Sequence, residues 1–286
     1  MRPEWLNKKI RLGDCSDTKS LLRQMHVDTV CEQASCPNIG ECFSRLHATF
    51  LILGRRCTRS CSFCNIAKGV PMPPDLDEPN RIAEAVSRLS LKHVVITSVT
   101  RDDLPDGGAG IFADVVLRLR KRVPDINIEV LIPDFKLSVD SIRKVVESNP
   151  DIIAHNVETV PSLYAKARSD SDYRRSLGVL MAVKKMSPKT MTKSGIMLGM
   201  GEEQDEVISV MGDLRLVDCD FLSIGQYLAP SKNHYQVKEY ITPEQFEVYK
   251  KKAEMVGFKH VESGPYVRSS YKAAKYLPKE RLHAHS

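Results

Sequence analysis

Six of the eight cysteines in this 286-residue chain fall between positions 31 and 64, and they form two triplets. Cys57, Cys61 and Cys64 have the spacing C-x3-C-x2-C; Cys31, Cys36 and Cys42 have the spacing C-x4-C-x5-C. Three thiolates on a cubane iron-sulfur cluster leave one iron without a protein ligand. That open iron can bind and activate a small molecule, whereas an electron-transfer ferredoxin fills all four positions. Zinc is the alternative, but structural zinc takes four ligands, usually in paired C-x2-4-C units, and no second pair follows Cys64. One cubane cannot use six cysteines, so the pattern predicts two metal centres. Core or loop cysteines account for one or two such residues better than for three within twelve.

Composition sets the frame for that chemistry. A chain of 286 residues buries a core without covalent staples, which excludes a small disulfide scaffold. With 42% hydrophobic and 27% charged residues it is globular, not disordered, collagenous or coiled-coil. The N-terminus has no apolar signal core, and no apolar run approaches the roughly 18 residues of a membrane span. A cytoplasmic setting is expected, or an organellar matrix or stroma if a transit peptide has been removed. In such reduced compartments clustered cysteines bind metal or do redox chemistry more often than they crosslink. The net charge of +6 is too small and dispersed to argue for nucleic acid. The reading is a monomer with no nucleic-acid or membrane partner, and runs such as Arg118 to Arg122 read as solvated helix faces.

The elements that must position the cysteines follow from periodicity. From Ala48 onward short apolar runs alternate with longer amphipathic ones, the pattern of βα units and a parallel sheet. Strands are predicted at 48–54, 93–98, 126–132, 152–155, 191–198 and 221–225. Helices are predicted at 81–89, 111–122, 139–147, 176–186, 205–216 and 243–256, the last with Thr242 as N-cap and Gly257 as its stop. Six such units fit a partial TIM-type barrel or a doubly wound sheet, and periodicity does not decide between them. Both place functional groups at the C-terminal ends of strands. Those ends carry the Cys57 loop, Thr100-Arg101-Asp102-Asp103, Asp134, Asn156 with Glu158, and Gln226 with Tyr227; Lys193 lies within the fifth strand. Residues 1–47 read as an N-terminal extension short of regular elements, 48–257 as the α/β barrel, and 258–286 as a C-terminal extension. Cys15 and Cys219 belong to neither triplet, and Cys219 reads as a small buried residue at the start of the sixth strand.

The Cys57 triplet resembles the signature of the radical S-adenosylmethionine (SAM) superfamily, directly after the first strand of its partial barrel. Both triplets together resemble the lipoyl synthase family. So do Cys31-Glu32-Gln33-Ala34-Ser35-Cys36-Pro37-Asn38, Thr100 to Gly108, His155-Asn156-Val157-Glu158-Thr159, Thr192-Lys193-Ser194-Gly195, Ile224-Gly225-Gln226-Tyr227 and Arg268-Ser269-Ser270-Tyr271. These motifs span almost the whole chain. Ser60 departs from the basic residue commoner in the family at that position; as a non-ligand it puts little in doubt.

The resemblance implies an α/β fold, a partial (β/α)6 barrel with extensions at both ends. It implies two 4Fe-4S clusters, one on Cys57, Cys61 and Cys64 and an auxiliary one on Cys31, Cys36, Cys42 and Ser270. The substrate would be an octanoyl chain in amide linkage to a lysine of a lipoyl carrier protein or domain, with sulfur inserted at C6 and C8. Each insertion would use one SAM, hence two per lipoyl group, with the auxiliary cluster consumed as sulfur donor. Unactivated C–H bonds resist acid-base chemistry, so the radical must come from a cofactor while the protein orients and excludes water. An external electron donor and iron-sulfur assembly proteins are implied partners. Serine is a hard, weak ligand for such iron, which suits a cluster meant to be dismantled; alternatively the Ser-Ser pair caps a helix. Asn156, Glu158, Lys193 and Gln226 are the candidate SAM contacts, unless they bridge neighbouring strands; His155 reads as structural, and Phe63 as a shield for the cluster or a buried aromatic. The rival readings are another radical SAM sulfur-inserting enzyme, similar to biotin synthase, and an iron-sulfur electron carrier or redox sensor.

Overall fold

The computed structural model describes residues 3–7, 16–44 and 47–276. In chain order the elements begin with α1 (Ser16–Gln24), β1 (Asp28–Thr29), α2 (Val30–Gln33), α3 (Ile39–Ser44), β2 (Thr49–Ile52), β3 (Arg56–Cys57) and β4 (Ala67–Lys68). Then follow α4 (Glu78–Arg88), β5 (His93–Ser98), α5 (Ala109–Arg122), β6 (Asn127–Leu131), α6 (Val139–Glu147) and β7 (Ile152–Ala154). The remainder is α7 (Tyr164–Ala167), α8 (Tyr173–Met186), β8 (Met191–Leu198), α9 (Gln204–Leu216), β9 (Phe221–Gln226), α10 (Pro243–Met255) and β10 (His260–Gly264).

One sheet runs in the order β1-β2-β5-β6-β7-β8-β9-β10, with every pair parallel except β1 against β2. All four residues of β2 and all six of β9 are buried, as expected for strands covered on both faces. Phe50, Ile52, Val94, Ile96 and Ile128 join Ile82, Val86, Phe112, Val116 and Val145 of the helices in one core. A second core unites β8 and β9 with α9 and α10. The helices start where their caps dictate: Ser138 accepts from Ser141 N–H ahead of α6, and Thr242 from Gln245 N–H ahead of α10.

All six predicted strands and six predicted helices are present, with shifts at their ends. The extensions are more ordered than periodicity implied. α1, α2, α3 and β1 occupy the N-terminal one, because Leu22, Met25, Val27 and Phe43 bury against the barrel core although they are too few and too scattered to show a period. On the C-terminal side, β10 joins β9 as a seventh parallel strand, so the sheet continues past residue 257. Cys219 is fully buried just before β9, with its thiol donating to Phe221 O at 3.4 Å. Cys15 lies outside the described residues. Among those described, no helix is long and apolar enough to cross a membrane.

Candidate active site

The Cys57 loop sits at the C-terminal mouth of the barrel, tied to several neighbouring segments. Arg59, placed between the first two cysteines, donates to Asp102 at 2.6 and 2.9 Å and to Asp134 at 2.9 and 2.7 Å. One guanidinium thus joins the loop to the ends of β5 and β6, using the planar two-sided fork that only Arg offers. Burial alone would raise the Asp134 carboxyl; hydrogen bonds and charge from Arg59 outweigh it and hold the group well below the usual carboxylate range. Thr58 donates to Thr100 O and accepts from Asp102 N–H, Ser60 donates to Asp170, and Ser62 N–H donates to Ala167 O. Backbone N–H groups of Arg59 and Thr100 point at the Cys57 sulfur from 3.5 and 3.3 Å.

Cys61 and Cys64 are close enough to each other, to Cys57 and to Glu158 for their charges to interact. Burial pushes the Cys64 thiol up to about 11 and also raises Cys61, which the Arg168 guanidinium partly offsets. Thiolates there need positive charge, and metal binding supplies it with release of protons. Arg168, buried and absent from the sequence reading, donates to Asn156 O at 3.0 Å and faces Glu158 and Cys61. Glu158 has φ of 66°, a left-handed conformation costly for a side chain of this size. It accepts from Asn156 Nδ2 at 3.1 Å. Gly195 is required beside them: a Cβ there would lie 2.9 Å from Asn156 Oδ1 and 2.7 Å from Ser223 Oγ. Phe63 is half-buried and packs in the cluster of Ala167, Met200 and Tyr227.

Two of the four candidate SAM contacts are otherwise engaged. Lys193 is the third residue of β8, opposite Phe221 at the start of β9, and so lies in the N-terminal half of the barrel. Its ammonium is fully buried 2.9 and 3.1 Å from the Glu129 carboxylate oxygens and 3.8 Å from the centre of the Tyr276 ring. Gln226 donates to Leu198 O, Tyr227 O and Glu239 O and accepts from Ile241 N–H, so its amide is bonded to four backbone groups of the fold. Both bridge strands and loops. The period-2 pattern of a strand tells which face a residue takes but not its height in the barrel. Lys193→Met is expected to lower stability by about 3 kcal/mol, because it strands a buried carboxylate, while SAM affinity of the folded protein stays as it was. Urea unfolding and SAM titration check this, and weakened SAM binding would restore Lys193 as a contact. His155 is buried with Nδ1 at 2.8 Å from Ile132 O, the structural position expected of it.

The second triplet lines a cavity together with His47, Thr49, His93, Arg268 and Ser270. Described residues of the N- and C-terminal extensions meet here. Asn38 Nδ2 donates to Tyr266 O at 2.7 Å, Tyr271 Oη donates to Glu41 at 3.1 Å, and Tyr266 Oη donates to Leu6 O. Gly225 makes the approach possible, since a Cβ there would lie 2.1 Å from Val267 O. The paired serines do not cap a helix: Ser269 donates to Asn156 Oδ1 at 3.0 Å and Ser270 accepts from Thr49 at 2.7 Å. Burial pushes the Cys31 thiol up to about 12, so this site too requires cationic charge when ionised; the buried Arg268 guanidinium beside Cys36 supplies part of it. Among the described residues no three His, Cys, Asp or Glu side chains close on a single ion. The three thiols and the Ser270 hydroxyl line one cavity, a donor set that fits a polynuclear cluster.

Known proteins resemble this chain in sequence and in fold. Residues 51–214 match the family model of the radical SAM superfamily. Lipoyl synthase of Geobacter metallireducens is 56% identical over 275 residues, covering 96% of this chain and 97% of that one. Lipoyl synthase of Caldanaerobacter subterraneus subsp. tengcongensis is 55% identical over 272 residues, 95% of each. Among solved structures, methylornithine synthase matches with a TM-score of 0.58 at 15% identity over 88% of this chain and 75% of its own. The hydrogenase maturase HydG matches with a TM-score of 0.60 at 12% identity over 88% and 63%, so both show the shared fold. With more than half its residues identical to these enzymes over nearly their full length, the chain belongs to the lipoyl synthase family of the radical SAM superfamily.

Proposed function

We propose that this radical SAM sulfurtransferase of lipoyl synthesis divides its reaction between the two thiol triplets, with Cys57, Cys61 and Cys64 serving SAM cleavage and Cys31, Cys36, Cys42 and Ser270 serving sulfur donation. The observation that carries the reading is the meeting of Ser270 with three thiols from the other end of the chain in one cavity. When bound, four-iron clusters supply, with SAM, a hydrogen-abstracting radical at the first site and sulfur at the second. The protein's part is to hold and orient. Cys57, Cys61 and Cys64 present three thiolates on a loop that Arg59 holds rigid. Arg168 fixes the backbone of Asn156, and Asn156 in turn holds Glu158, whose carboxylate stands near Cys61 and Cys64; the two are the polar contacts proposed for SAM. Ser270, a weaker ligand than thiolate, would hold its iron less firmly than Cys31, Cys36 and Cys42 would hold theirs.

The substrate proposed is an octanoyl-lysine of a lipoyl carrier protein or domain, taking sulfur at C6 and C8 with two SAM consumed. An external reductant and iron-sulfur assembly proteins are the further partners, and a cytoplasmic monomer is the state proposed. The test is anaerobic reconstitution followed by reaction with reductant, SAM and an octanoylated carrier peptide. About eight iron per chain are expected before turnover, with iron lost as sulfur enters the product. A sample holding one cluster that still made product, or one that lost no iron during sulfur insertion, would overturn the division.

A further inference from the structure

We infer that Thr49 is a positioning residue for the second site, fixing the Ser270 hydroxyl at the cavity that Cys31, Cys36 and Cys42 also line; this rests on the reading of those residues as one ligand set. Thr49 is the first residue of β2, 5% exposed, and its place is set by the barrel itself through parallel pairing with Val95. On one side its hydroxyl donates to Ser270 Oγ at 2.7 Å, across 221 residues of sequence. On the other, the antiparallel pair Thr29 with Phe50 lays the start of α2 beside it. Cys31 is the second residue of that helix. Thr49, Val95, Cys31 and Ser270 all line the same cavity.

The chemistry of the hydroxyl explains why this contact matters. A serine side chain has three staggered rotamers, and only one aims its oxygen at a given point. A donor 2.7 Å away selects that rotamer, and it does so from a strand locked into the barrel instead of from either extension. A threonine hydroxyl carries one hydrogen and two lone pairs. Its one hydrogen is given to Ser270. Partners of this kind orient metal ligands without touching the metal, and their loss costs about 10-fold to 100-fold in metal affinity.

Thr49→Val keeps shape and removes the hydroxyl. In the full chain reconstituted with iron-57, this variant is expected to lose iron to a chelator about tenfold faster than wild type, with an altered Mössbauer signature. Thr49→Ser is expected to restore both. If the valine variant fails to fold, Thr49→Ala against Thr49→Ser makes the same comparison between small side chains. Ser270→Ala serves as reference. If Ser270→Ala leaves spectrum and iron loss unchanged, the ligand reading beneath the inference fails. If Ser270→Ala alters them while Thr49→Val or Thr49→Ala matches wild type, or if Thr49→Ser does not rescue, the role of Thr49 fails.

Discussion

Cys61→Ala is expected to form no detectable 5′-deoxyadenosine from SAM, whereas Cys42→Ala is expected to form it and still insert no sulfur. The first triplet has no spare ligand. Cys57, Cys61 and Cys64 interact with one another at the barrel mouth, and the polar groups around them, Arg59, Arg168 and Glu158, cannot replace a thiolate on iron. Removing one thiol removes the whole of a rate enhancement that for enzymes begins at about 10⁶. The second triplet lies with Ser270 in its own cavity, so loss of Cys42 leaves the first intact. Iron analysis gives an independent readout, with about four iron per chain expected in each variant. Chromatography of 5′-deoxyadenosine and mass spectrometry of the carrier peptide separate the two activities. Identical failure of both variants, or product from Cys42→Ala, would contradict the division of labour.

Arg59→Met is expected to destabilise the protein by about 3 kcal/mol and to strip iron from the first site. Arg59 is buried between two carboxylates, one of which, Asp134, is fully buried. Removing one partner of such a pair costs about 3 to 5 kcal/mol, because the remaining charge is left desolvated. Arg175, with Nε 2.8 Å from Asp134, retains part of the compensation and places the cost at the lower end. Arg59→Lys is expected to recover little, since an ammonium cannot bond both carboxylates through parallel pairs. The pH dependence has a definite sign. Asp134 is held below its unfolded value, so the pair contributes stability above about pH 4 and loses it as pH falls through the lower folded value. Arg59→Met should therefore show a shallower loss of stability on acidification. Urea midpoints between pH 3 and pH 7, at unchanged m, measure both effects; a variant within about 0.5 kcal/mol of wild type would exclude the clamp.

Arg59 also shows where sequence reading stops. The cysteine spacing drew attention to the ligands, and the strand ends drew attention to Asp102 and Asp134, but nothing in a linear pattern connects a residue between two cysteines with carboxylates 43 and 75 positions away. Arg168 and Thr49 escaped for the same reason. Lys193 and Gln226 are candidates for chemistry as polar residues near barrel strands, yet both bond buried partners inside the fold. Asn156 and Glu158 lie two residues apart beyond the end of β7, and there strand geometry does lead to the mouth of the barrel.

What the sequence by itself determined is the class of chemistry and the α/β architecture. Ligand type and spacing are local properties, and hydrophobic period is a local consequence of helix and strand geometry. The tertiary structure decided the rest: that the two extensions meet, that Ser270 shares a cavity with Cys31, Cys36 and Cys42, and that Thr49 and Arg59 hold their neighbours. It also added β10 to the sheet and the short helices to the N-terminal extension. These are long-range contacts, selected by burial and by the requirement that each buried polar group find a partner, and neither condition leaves a periodic mark along the chain.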